Sequence, residues 1–193
     1  MFLQNLKKYN VVLGSKSPRR AFLLKETGIT FTQRSIDLDE SFPADLINGD
    51  VVEFLAQKKA DAFKSELKDN DLLITADTIV VYENEVLGKP ADKKDAIRLL
   101  SKLSSRTHKV FTGVCLLSDR KNIVFHTMTE VTFKDLSEEE IEYYISKYNP
   151  YDKAGAYGIQ EWFGYVCVEK INGSYTNVMG LPIKEICDHL KTF

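Results

Sequence analysis

Apolar runs bounded by polar residues and turn formers set the frame of this chain. Residues 10–14, Asn-Val-Val-Leu-Gly, read as a short strand. A helix should follow: Ser17 suits an N-cap, Pro18 the first helical position and Gly28 the stop. Residues 30–36 read as a second strand, and the acidic, turn-rich residues 37–49 as a loop. Asp50 is expected to cap a helix running to about Leu67. Within it Val52, Leu55, Ala56, Ala62 and Phe63 recur at three- and four-residue spacings, which makes one apolar stripe. Lys59 falls in the middle of that stripe and Lys58 toward its edge.

Residues 72–76 read as a strand that ends at Ala76-Asp77-Thr78. Residues 79–82 and 86–87 then suggest a hairpin around Glu83-Asn84-Glu85, and a helix over 92–103 follows, with Asp92 as its cap. The second half changes rhythm. Residues 109–117 and 123–133 look like two long antiparallel strands joined near 118–122. Ser137-Glu138-Glu139-Glu140 is a capping box that opens a helix, and Asn149-Pro150 ends it. Residues 151–160 form a Gly- and Ala-rich loop, 163–171 a strand, Asn172-Gly173 a turn, and Pro182 opens the last helix. The early alternation of strand and helix predicts a mixed α/β fold. The expectation is one domain over 1–193, with a long mixed sheet flanked by helices in two lobes around a central cleft.

Composition narrows the class of function. Of 193 residues, 44% are hydrophobic and 28% charged, which is the range of an ordinary globular chain. The formal net charge of −2 lacks the basic excess of a general nucleic-acid binder, so a nucleic-acid partner is not expected. No apolar run approaches the ~20 residues of a membrane span. Met1-Phe2-Leu3-Gln4-Asn5-Leu6-Lys7-Lys8 has too short an apolar stretch, with charges on the wrong side, for a signal peptide. The expected setting is therefore cytoplasmic, without a membrane partner; a homodimer is left open. The three cysteines, Cys115, Cys167 and Cys187, form no C-x-x-C pair and are expected to be buried reduced thiols. The histidines are scattered, with no zinc-ligand spacing.

Six short stretches carry candidate chemistry. Gly14-Ser15-Lys16-Ser17-Pro18-Arg19-Arg20 joins a strand to a helix N-terminus, where unpaired N–H groups and the helix dipole favour an anion. There Ser15 and Ser17 add hydroxyls and Arg19 or Arg20 a bidentate grip; the plainer alternative is a cap beside solvated arginines. Asp77 at a strand end could bind a divalent cation or take a proton, or be a turn aspartate. Lys89, between Gly88 and Pro90, could neutralise phosphate or be solvated. Lys59 either snorkels to water or reaches an anion in a cleft. In Asp152-Lys153-Ala154-Gly155-Ala156-Tyr157-Gly158-Ile159-Gln160, Lys153 offers charge and Gln160 an amide that could pair with a base edge, or the stretch is a plain loop with Tyr157 in the core. Asp37-Leu38-Asp39-Glu40 could give oxygen ligands to Mg²⁺, or be an exposed acidic loop.

The order of these motifs is more specific than any one of them. S-x-S-P-R-R, A-D-T, G-K-P and D-K-A-G-A-Y-G-I-Q, followed by Asn177-Val178-Met179-Gly180-Leu181-Pro182, resemble the Maf family of house-cleaning nucleotide pyrophosphatases. The resemblance runs from Leu13 to Pro182. It implies a fold related to inosine triphosphate pyrophosphatases and hydrolysis between the α- and β-phosphates of a nucleoside triphosphate with Mg²⁺ or Mn²⁺. It implies that Asp77 is the proton acceptor; the mechanism expected from these residues has Glu40 and Asp77 place the metal. Arg19, Thr78 and Gln160 match positions of substrate choice, and Glu40, Lys59 and Lys89 match other active-site positions. The motifs are similar to the dTTP- and UTP-cleaving branch rather than the 7-methyl-GTP branch. A nucleotide-binding regulator of cell division, without turnover, is the reading from another class. Two departures stand out. Gly14 replaces an expected alanine, which should be harmless, and Glu161-Trp162 follows Gln160 where a glycine is expected, a bulky pair that would reshape a base pocket.

Overall fold

The computed structural model describes residues 3–193; of the N-terminal segment read above, Met1 and Phe2 lie outside the described residues. Its strands form one mixed sheet in the order β2-β1-β3-β5-β6-β7, with β4 paired to β3. These are β1 (Asn10–Gly14), β2 (Thr32–Arg34), β3 (Asp71–Tyr82), β4 (Glu85–Leu87), β5 (Thr107–Leu117), β6 (Asn122–Phe133) and β7 (Val168–Asn172). Strand β1 runs parallel to both β2 and β3, whereas β3–β4 and β6–β7 are antiparallel. The connection from β5 to β6 is too short for a parallel crossover, so that pair is antiparallel as well. The mixed α/β class expected from the strand–helix alternation is the one observed.

Two compact units divide the described residues: 3–77, 112–127 and 180–193 make the first, and 78–111 with 128–179 the second. In the first, helix α1 (Pro18–Glu26) starts as its sequence dictates. Ser17 accepts a hydrogen bond from the Arg20 N–H, Pro18 occupies the first turn, and Gly28 takes a φ of 74° just beyond the end. Helix α2 (Gly49–Phe63) packs Val51, Val52, Leu55, Ala56, Ala60 and Phe63 inward. Ala56, Ala60 and Phe63 meet Val12, Leu73, Cys115 and Leu117 in the core. Gly113 of β5 lets α2 come this close, because a Cβ there would sit 2.2 Å from the Val52 carbonyl oxygen. Helix α7 (Ile183–Leu190) is fastened by the Asn5 side-chain amide, which donates to the Leu190 carbonyl at 2.6 Å.

The second unit has an aromatic core. Phe133, Tyr144, Tyr157 and Phe163 are buried, with Phe163 set against the other three at centroid distances of 5.0, 4.9 and 5.7 Å. Helix α3 (Lys93–Leu103) begins at Asp92, which accepts from the Asp95 N–H. Helix α4 (Glu138–Tyr148) opens on the capping box expected from Ser137 and Glu140, and Asn149 closes it in the left-handed conformation.

Four expectations need correction. Strand β2 spans three residues rather than seven, because β1 ends at Gly14 and leaves nothing for residues 35 and 36 to pair with. Asn48, not Asp50, precedes α2; Gly49 is already helical, and its missing Cβ makes room for the His126 ring, 2.3 Å from where that atom would be. The segments 72–76 and 79–82 are one continuous strand, so Asp77 lies inside β3 and not at its end. Finally, 163–171 is not one strand. Trp162–Val166 forms a short helix, α5, and only then does β7 begin. Gly164 permits that tight turn, since a Cβ there would lie 1.8 Å from the Ile159 carbonyl oxygen. One further helical turn, α6 (Tyr175–Val178), was not expected; Ser174 caps it.

Candidate active site

Within the first unit, contacts link the Ser15–Arg20 loop to Asp77. The Ser15 hydroxyl accepts from the Ser17 N–H at 3.2 Å and from Arg20 Nη1 at 3.4 Å. Arg20 also donates from Nη1 to the Ala76 carbonyl and from Nε to the Gly180 carbonyl, both at 2.8 Å. Burial pushes its guanidinium below the ordinary value, while Asp77 and Glu40 push it back up. Arg20 thus clamps the loop to β3 next to Asp77. The Gln33 amide holds the Ser15 carbonyl at 2.7 Å from the other side.

Asp77 is 8% exposed in the middle of β3. Its Oδ1 accepts a hydrogen bond from Lys59 Nζ, and the same ammonium lies 2.7 Å from Glu40 Oε1. Lys59 therefore leaves the apolar stripe of α2 toward two carboxylates rather than toward water. The carboxylate of Glu40, on a loop, and that of Asp77, on a strand, converge on this one cation. Lysines also hold the rest of the acidic loop: Lys16 pairs with Asp37, and Lys58 donates to the Ser41 carbonyl at 2.9 Å while lying 3.9 Å from Asp39. The Ser41 hydroxyl and N–H, with Lys58, lower the Asp39 carboxyl below its usual range. Arg19 lies one residue along α1 and is partly exposed.

The second unit holds Thr78, Lys89, Lys153 and Gln160. Thr78 follows Asp77 on β3, and strand alternation turns its side chain to the opposite face. Lys89 is exposed, and its neighbour Gly88 accepts a hydrogen bond from the Gly155 N–H at 3.1 Å. Lys153 is buried and engaged, 2.8 Å from Asp152 and 3.2 Å from Glu161. Glu161 organises the whole stretch. Tyr144 donates to it at 2.5 Å, and the Gln160 amide at 3.2 Å. Tyr144 itself accepts from the Gly158 N–H at 2.9 Å. Burial, reinforced by Glu161, pushes the Tyr144 hydroxyl well above its usual range, so it stays a proton donor to the carboxylate. The Gln160 amide oxygen is buried without a partner. Trp162 packs edge-on to Tyr143 at 4.9 Å. Nothing in sequence spacing marked Tyr144 as a partner of this loop, because the contact joins α4 to residues 14 and 17 positions away.

Comparison with known proteins follows the same lines. A family model described as Maf-like protein matches residues 10–193. A dTTP/UTP pyrophosphatase of Parabacteroides distasonis is 50% identical over 192 residues, covering 99% of this chain and all of that protein. One from Flavobacterium johnsoniae is 48% identical over 192 residues, covering 100% and 99%. Among solved structures, the Staphylococcus aureus Ham1 protein superposes with a TM-score of 0.46 at 14% identity, over 65% of this chain and 72% of its own. With the family match running from β1 to the C-terminus, the chain belongs to the Maf-like protein family.

Proposed function

We propose that this protein hydrolyses dTTP and UTP to the nucleoside monophosphate and pyrophosphate, using a divalent cation, in the cytoplasm. The observation that carries the reading is the convergence of Glu40 and Asp77 on one partly buried cationic group, Lys59, beside the Ser15–Arg20 loop. The relatives at 48–50% identity that are named dTTP/UTP pyrophosphatase supply the substrate. The donor set fits the cation. Two carboxylate groups are hard ligands of the kind Mg²⁺ and Mn²⁺ take, and phosphate oxygens and water complete such a shell. Lys59 Nζ holds the place between those oxygens, which is where positive charge is favoured.

In this reading the N-terminus of α1, with the hydroxyls of Ser15 and Ser17, receives the phosphates, and Arg19 adds charge. Arg20 keeps the loop against β3. When bound, the cation would neutralise charge on the phosphates and on the departing pyrophosphate. Asp77 accepts a proton from the attacking water. The water oxygen bonds to the α-phosphorus, the bond from that phosphorus to the α,β-bridging oxygen breaks, and that oxygen leaves with pyrophosphate. Lys59 orients Asp77 through Oδ1. By family resemblance Thr78 and Gln160 act in substrate choice and Lys89 in the active site; in this mechanism Lys153 joins the groups that hold the phosphate oxygens.

Pyrophosphate release measured with dTTP, UTP, CTP, GTP and 7-methyl-GTP, with Mg²⁺ or Mn²⁺, tests the reading. Release from dTTP and UTP should require the cation and should fall by about 10³-fold or more in Asp77→Asn, with nucleotide affinity largely kept. Tight nucleotide binding without release by the wild-type chain would instead identify a binding protein. Preferential cleavage of 7-methyl-GTP would move it to the other branch.

A further inference from the structure

Lys59 and Asp77 meet across two elements, and something must fix how far α2 slides along β3. Thr75 is fully buried on β3, two residues before Asp77 and on the same face. Its hydroxyl donates to the Ala56 carbonyl of α2 at 2.7 Å. Ala56 lies one helical turn before Lys59 on one side of α2. The Thr75–Ala56 bond and the Asp77–Lys59 pair are thus successive rungs between the same strand and the same helix.

The first rung is not needed to satisfy the helix. An interior helical carbonyl already accepts from the N–H four residues on. Apolar side chains dominate this core, so valine would fill the site without burying a hydroxyl. Room for the Thr75 side chain comes from Gly14, where a Cβ would lie 2.8 Å from Thr75 Cγ2. The Cys115 thiol neighbours the same hydroxyl but belongs to another strand and cannot align α2 with β3.

We propose that Thr75 is a positioning residue: its bond to Ala56 sets the register of α2 against β3 and thereby holds Lys59 on Asp77. This inference rests on the reading in which Asp77 takes the proton, so its test has a readout independent of turnover.

Thr75→Val and Thr75→Ser are compared with wild type by steady-state kinetics on dTTP and by amine acylation read by mass spectrometry at Lys59, with exposed Lys184 as the internal standard. Thr75→Val should lower kcat about ten-fold with KM within about two-fold, and Thr75→Ser should restore most of it. Lys59 labelling should rise about three-fold or more in Thr75→Val and return in Thr75→Ser. If Thr75→Val does not fold, Thr75→Ala against Thr75→Ser isolates the hydroxyl in the same two readouts. Unchanged Lys59 labelling on loss of the hydroxyl, or a kcat loss that the serine does not recover, overturns the inference. Absence of pyrophosphate release from the wild-type chain overturns the functional reading instead, and Lys59 labelling still decides the role of Thr75.

Discussion

Gly14 shows how much one residue depends on its neighbour. In sequence it looks like a harmless exchange for alanine. In the fold its bare Cα faces the Thr75 methyl, Phe63 Cε2 and Leu73 Cδ1, at 2.8, 3.0 and 3.1 Å from where a Cβ would be. Gly14→Ala should therefore cost about 1–3 kcal/mol by overpacking. Combined with Thr75→Ser, which removes the methyl, the loss should shrink, so urea melts of the two single variants and the double should be non-additive. His108 makes a second prediction at this scale. It is 1% exposed, its Nε2 shares a hydrogen bond with the Tyr157 hydroxyl at 2.8 Å, and its Nδ1 has no partner. Burial drives its pKa down from 6.5 to about 3. Between those values the unfolded chain binds a proton that the folded chain refuses, so stability falls as pH drops below about 6.5. From pH 7 to pH 4 this residue should account for roughly 2–3 kcal/mol of lost stability. His108→Gln, melted in urea at both pH values, should lose distinctly less than wild type over that range. Lys59 was legible as a conflict, a charge inside an apolar stripe, but its two acidic partners were not. They come from positions 19 residues before it and 18 after it, and only packing brings them to it.

Caps and turns were the most legible elements, because their chemistry is local. Ser17, Asp92 and Ser137 each accept from a backbone N–H three residues on, as their positions suggested. Ser137→Ala removes one bond of the capping box and should lower stability by about 1 kcal/mol, seen as a fall in Tm with activity kept. Interiors of elements were less legible. Asp77 breaks the apolar run of β3, and propensity alone argues for ending the strand there. The strand continues because the carboxylate has a cation to meet. The chain at 162–166 carries a strand-like composition, yet Gly164 and the burial of Phe163 among Phe133, Tyr144 and Tyr157 fold it into a helix too short to show a helical period. Gly113→Ala should act across elements. Its Cβ would strike the Val52 carbonyl, push α2 outward, and reduce both stability and pyrophosphate release.

For the whole molecule, the thiols give a simple probe of its integrity. Cys115 and Cys167 are buried in the first and second units, and burial lifts their pKa values to about 12 and about 11. Cys187 is only half-buried. With a thiol reagent at pH 8, Cys187 should react first, and Cys115 and Cys167 only as denaturant opens their units. Fast labelling of Cys115 in native buffer would contradict the packing of α2 against β5. The sequence by itself determined the mixed α/β class, the caps at Ser17, Asp92 and Ser137, the hairpins and the order of motifs that marks the family. Those signals are local, or depend on period and spacing along the chain. The tertiary structure alone decided that β3 runs unbroken through Asp77, that Arg20 clamps carbonyls, and that Glu161 gathers Tyr144, Lys153 and Gln160. It also decided that Lys59 joins Glu40 to Asp77. These are contacts between elements, fixed by side-chain volume and by the cost of burying an unpaired charge, and neither quantity is written in the spacing of residues along one chain.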